Sequence, residues 1–130
     1  MDNTLDDSGK LVLRLALGIM ILMHGIAKVT GGISGIEGMV VNAGLPAILA
    51  YGVYIGEILA PILVIIGLYS RIGAVIIAIN MVFAIFLAHA DEIVQVTAHG
   101  GWALELQGMF LFAAIALALT GPGRLAINRM

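Results

Sequence analysis

The chain has 130 residues, 62% of them hydrophobic and 11% charged, with a mean hydropathy of +1.13. A soluble domain of this length cannot hide that much apolar surface, so lipid must be its principal solvent. The net charge of -2 comes without any basic block, which argues against nucleic acid as a partner. The absence of cysteine removes disulfides, thiolate metal sites, iron–sulfur clusters and thiol redox chemistry.

Residues Met1–Lys10 are polar and read as a short tail. The first apolar run, Leu11–Val29, follows an acidic leader (Asp2, Asp6, Asp7) and lacks an A-x-A-like site, so it reads as a retained span rather than a cleaved signal. Thr30–Leu45 is glycine-rich yet patterned. Ser34 and Glu37 have capping-box spacing, and Ile36, Met39, Val40 and Ala43 recur at helical intervals until Gly44 and Pro46 stop the run. This predicts a short amphipathic helix at the interface, placed as a lid. The second span, Pro46–Leu68, carries Glu57 in its middle and Pro61 four residues on. That proline frees the Glu57 carbonyl from its helical bond. After a turn at Tyr69–Arg71 come the third span, Ile72–Ala90, a polar connection at Asp91–Gly101, and the fourth span, Trp102–Thr120. Gly121-Pro122-Gly123-Arg124 then ends the helix. The pattern predicts an all-α integral membrane protein, one domain over residues 1–130. Its fold is an antiparallel bundle of four transmembrane helices with a short interfacial helix in the first outer loop.

Four spans put both termini and the second loop on one side. That side holds Lys10, Arg14, Arg71, Arg124 and Arg129, leaving only Lys28 opposite. The positive-inside rule places the termini in the cytoplasm and the other loops outside, which for a bacterial inner membrane is the periplasm.

Glu57 is the centre of the expected chemistry, because an ionisable group at membrane depth is costly and by default functional. Burial there disfavours a bare carboxylate, so Glu57 needs a proton or a cation, and Lys28 and His24 are the basic groups nearest in depth. Asn80 lies at the depth of Glu57; His24 and Gln107 lie five residues in from the outer ends of their spans. The polar groups thus crowd into the outer half of the bundle as the lining of a pocket. On span one Arg14, Gly18, Ile21, Gly25 and Lys28 share a face, with His24 on its flank. The candidate catalytic residues are Glu57, His24 and Lys28; the candidate ligand-binding residues are Tyr54, Asn80, Glu105 and Trp102. Structural readings stand beside these. Lys28 can snorkel or pair with Glu105, His24 can bond a backbone carbonyl, Trp102 can belong to an aromatic belt, and Arg14 reads as an interfacial anchor. No metal site is assigned: the His–carboxylate pair at helical spacing, His89 and Glu92, lies away from the buried cluster, and haem is disfavoured with it.

Four motifs occur in order along the chain: R-x9-H-G-x-x-K (Arg14, His24, Gly25, Lys28); Glu57 followed by I-x-G-L-x-x-R (Ile65, Gly67, Leu68, Arg71); G-G-W-x-L-E (Gly100 to Glu105); and G-P-G-R (Gly121 to Arg124). Together they resemble the DoxX family from Leu11 to Asn128. The resemblance implies a small four-helix membrane protein. The family takes its name from a subunit associated with a terminal quinol oxidase and with thiosulfate:quinone oxidoreductase. One position departs: Asn128 stands where family members often carry Asp. The function this favours is a quinone- or quinol-linked membrane component of an oxidoreductase system, with quinone as the candidate cofactor. A non-catalytic anchor for a soluble redox partner is the alternative, and small-molecule transport a third. The small-residue ridges further predict a homo-oligomer in the bilayer.

Overall fold

The structure, a computed structural model, describes residues 4–88 and 90–128. Among them all regular structure is helical, apart from an isolated antiparallel bridge between Val96 and Trp102. His89 and Arg129 lie outside the described residues.

Helix α1 spans Thr4–Gly31 and therefore starts well before the expected Leu11. Asp6 and Asp7 in its first turn suit the positive end of the helix dipole. Asp6 pairs with Lys10 at 3.0 Å, and Asp7 accepts the Arg124 backbone N–H at 3.2 Å. From Thr4 onward the segment read as a tail is thus helical and tied to the far end of the chain.

Helix α2, Ser34–Asn42, follows the periodicity of the first loop, but the capping box does not form. Its N-cap is the buried Ile33, so Ser34 already lies inside the helix, where its hydroxyl cannot reach the first free amides. At the other end Leu45 N–H donates to Val40 O at 3.1 Å and Gly44 N–H to Val41 O at 2.9 Å. Gly44 takes a φ of +84°, the left-handed turn that this Schellman closure requires.

The second apolar stretch, helix α3, Ala47–Ile66, is composite rather than a regular α-helix. It opens as a 3-10 turn over Ala47–Tyr51, passes through Gly52–Tyr54, widens into a π-helical turn at Ile55–Leu59 and finishes as α-helix over Ala60–Ile66. Pro61 supplies the cause. It cannot donate to the Glu57 carbonyl, and its ring needs room one turn back, so Ala60 N–H bonds Ile55 O five residues behind it. Helix α4 is Ser70–Ala88 and α5 is Glu105–Thr120. The fourth segment begins three residues later than expected because Trp102 bridges Val96 and its indole N–H donates to Ile93 O at 2.6 Å, closing the preceding loop. Helices α1, α3 and α4 are long and apolar enough to cross a membrane; α5 is apolar but shorter.

The four apolar helices pack in a closed ring, α1 and α4 each touching both α3 and α5. Leu17, Ile21, Val64, Ile77, Phe110 and Leu117 are among the residues at its centre. A smaller cluster of Ile33, Val40 and Ala50 fastens α2 onto α3. The outward faces carry exposed apolar side chains such as Met23, Phe86, Met109 and Leu119, as lipid-facing helices do.

The α1 face read from spacing is the buried one: Arg14, Gly18, Ile21 and Gly25 are all buried and Lys28 is partly so. Arg14, however, is no interfacial anchor. It is 1% exposed and donates to Val64 O (3.0 Å), Ile65 O (3.0 Å), Pro122 O (3.1 Å) and Leu125 O (2.7 Å). Its guanidinium satisfies carbonyls left free at the C-terminal end of α3 and in the chain that folds back after α5. Asn128 completes this end: its side-chain oxygen accepts Tyr69 N–H at 2.9 Å, an acceptor role that an aspartate would fill equally.

Candidate functional site

Glu57 sits on the π-helical turn with its side chain only 4% exposed. Both carboxylate oxygens are engaged. Lys28 Nζ forms a salt bridge with Oε1, and Asn80 Nδ2 donates to Oε2 at 2.9 Å. Three helices thus meet at one side chain.

Glycines make that meeting feasible. A methyl group at Gly25 would lie 2.1 Å from the Glu57 carbonyl oxygen, so α1 passes directly over the oxygen that Pro61 leaves free. This contact sets Gly25 level with Glu57, and Lys28, three residues on, can lower its ammonium onto the carboxylate. A methyl group at Gly56 would lie 2.6 Å from Asn80 Cγ, so α4 comes equally close on the other side. The cation needed by a buried carboxylate is therefore Lys28. The readings in which Lys28 snorkels to the interface or pairs with Glu105 are replaced by this bridge.

The salt bridge lies in the wall of a cavity of about 490 Å³ between α1, α2, α3, α4 and α5. His24, Lys28, Glu57, Asn80 and Gln107 are its polar side chains among a mainly apolar lining. The volume and the few convergent polar groups suit a small-molecule site. His24 stands edge-on to Phe110, with ring centroids 5.8 Å apart and planes at 78°. Helix α2 contributes Ile36, Met39 and Val40, so the predicted lid does lie against the pocket.

Of the candidate residues, Glu57, Lys28, His24 and Asn80 come together here, and Tyr54, Glu105 and Trp102 do not line the cavity. Tyr54 packs on the Ile33–Val40–Ala50 cluster with its ring 6.1 Å from that of Tyr51. Trp102 lies against Gly108, and Glu105 is exposed at the start of α5 beside Gly101. Gln107 and Phe110 join the lining as well; the depth of Gln107, equal to that of His24, was its signal in the sequence, and Phe110 had none. Among the described residues no three His, Asp or Glu side chains are grouped to hold a metal ion.

Fold and site together define a small helical membrane protein with a buried salt bridge in the wall of an apolar pocket. The profile of the DoxX family matches residues 9–90, and the chain belongs to that family. It is 32% identical over 123 residues to a Bacillus subtilis protein named "Putative oxidoreductase CatD", the match covering 92% of this chain and 84% of the relative. It is also 29% identical over 126 residues to an uncharacterized Haemophilus influenzae protein, covering 89% and 85% of the two. No solved structure matches the chain.

Proposed function

We propose that this protein is a quinone- or quinol-linked membrane component of an oxidoreductase system, whose pocket holds the ligand's head group beside Glu57. The reading rests chiefly on one observation: a carboxylate held between an ammonium and a carboxamide, in the wall of an otherwise apolar cavity. Two-electron reduction of a quinone takes up two protons, one at each carbonyl oxygen, and oxidation of the quinol releases them. A site for this exchange needs donors at the oxygens and an apolar enclosure for the ring. Lys28 and Asn80 are N–H donors and Glu57 a proton acceptor, with His24, one turn before Lys28 on α1, as a further polar group in the lining. The electrons must come from, or go to, a soluble redox partner. The name of the Bacillus relative is consistent with such chemistry.

In the same reading the four apolar segments cross a bacterial inner membrane as an antiparallel bundle with both termini in the cytoplasm. The protein works there as a homo-oligomer. The pocket, at the end of α1 that carries Lys28, then faces the periplasmic half of the bilayer.

The test is organic extraction of protein purified in native-lipid nanodiscs, followed by titration of the stripped protein with a short-tailed quinone. Co-purifying quinone and saturable binding are expected. Glu57→Gln should keep the fold and weaken binding modestly, but abolish turnover with the partner. Full cellular function from Glu57→Gln would rule out proton transfer and leave a non-catalytic anchor for the partner.

A further inference from the structure

We infer that the pocket opens sideways into the bilayer, through a portal between the outer part of α3 and α4, and draws its ligand from lipid. The ligand class follows: a membrane-dissolved amphiphile whose small polar head enters while its apolar tail stays among the acyl chains. That the head is a quinone rests on the reading above; the portal rests on geometry alone.

The seam between α3 and α4 is tight over its inner part. A methyl group at Gly73 would lie 2.9 Å from Ala60 O, and one at Gly56 would lie 2.6 Å from Asn80 Cγ. One turn further out the seam parts, and a methyl group at Gly52 would meet nothing within 4 Å. The change coincides with the switch of α3 from π-helical turn to 3-10 turn, which carries its first residues away from the regular helical path. Around the gap, Leu49 and Gly52 on α3 and Ile79 and Phe83 on α4 line the cavity and remain exposed. Apolar residues that line a cavity and yet stay exposed mark the rim of an opening. Helix α2 covers part of the cavity: its Val40 is buried and its Ile36 and Met39 belong to the lining. Asn80 lies one turn below Phe83, so an entering head group meets its amide first and the Glu57 salt bridge next.

The chain has no cysteine, which makes a direct test practical. Ala84 lines the cavity behind the portal. The Ala84→Cys variant in proteoliposomes is treated with a pyrene maleimide that partitions into lipid, or with a sulfonated maleimide confined to water. Each rate is normalised to the detergent-denatured protein. Labelling by the pyrene reagent and not by the sulfonated one is expected. It should be lost when Gly52→Phe fills the gap and kept with Gly52→Ala, which also shows that substitution at this position is tolerated. Equal labelling by both reagents would mean that the pocket opens to water and would overturn the inference. So would labelling by neither, or a pyrene rate unchanged by Gly52→Phe, which would move the entrance elsewhere, such as the His24 edge of α1. Protection of the thiol by a decyl quinone is scored separately and bears only on ligand identity.

Discussion

Removing the ammonium from the salt bridge should cost far more than removing the carboxylate. Lys28→Met keeps the aliphatic stem and deletes the charge, leaving Glu57, whose side chain is 4% exposed, with Asn80 alone. Stripping one partner from a buried pair costs about 3–5 kcal/mol, and the low end applies here because a cavity of about 490 Å³ can admit water. We therefore expect a loss of about 3 kcal/mol. Glu57→Gln is different: the amide keeps the shape, and Lys28, already 29% exposed, can turn towards the interface. That change should cost about 1 kcal/mol, the worth of an ordinary hydrogen bond. The double substitution buries no unpaired charge and should cost about 1 kcal/mol relative to the native protein, giving a coupling energy of about 3 kcal/mol. Unfolding titrations with dodecyl sulfate in mixed micelles measure all four proteins. Equal costs for the two single substitutions, with an additive double, would refute the asymmetry and with it the claim that Lys28 compensates Glu57.

Gly25→Ala should lower stability by about 1–3 kcal/mol in the same titration, because its methyl group would collide with the Glu57 carbonyl, while Gly35→Ala, with open space around it, should be close to neutral. Arg14→Lys is not conservative here: an ammonium cannot span acceptors on two segments as the guanidinium does, so the chain after Thr120 should become sensitive to protease while the spans stay intact. A normal digestion pattern would refute that stitch. A reporter active only in the periplasm, fused after Met130, should be silent; strong activity would invert the topology and move the pocket to the cytoplasmic half.

The apolar stretches were legible because their length and composition answer directly to the thickness of a bilayer. The buried face of α1 was legible because Arg14, Gly18, Ile21, Gly25 and Lys28 repeat at the helical period. Pro61 announced a broken bond at Glu57 but not how the chain would absorb it; whether a helix kinks or widens depends on the packing of its neighbours. Lys28 and His24 were legible as the basic groups nearest Glu57 in depth; that Lys28 makes the bridge follows from the Gly25 contact with the Glu57 carbonyl, a relation between two helices that neither encodes alone. Trp102 was assigned to a helix on hydropathy, whereas its indole N–H found a loop carbonyl. Arg14 was misplaced for a non-local reason. Its acceptors at Pro122 and Leu125 exist only once the chain has folded back.

The Arg14 arrangement has a temporal side. The guanidinium enters the membrane with the first span, but Pro122 and Leu125, which supply two of its acceptors, are 108 and 111 residues downstream. During synthesis the group must stay hydrated at the membrane edge until the last helix has been inserted and the Gly-Pro-Gly-Arg turn reaches it. The Arg14 end of the bundle is therefore sealed last, by a side chain made among the first. A chain cut short before Pro122 would leave a charged group open to water beneath α3, and complete synthesis would register as the closing of that end.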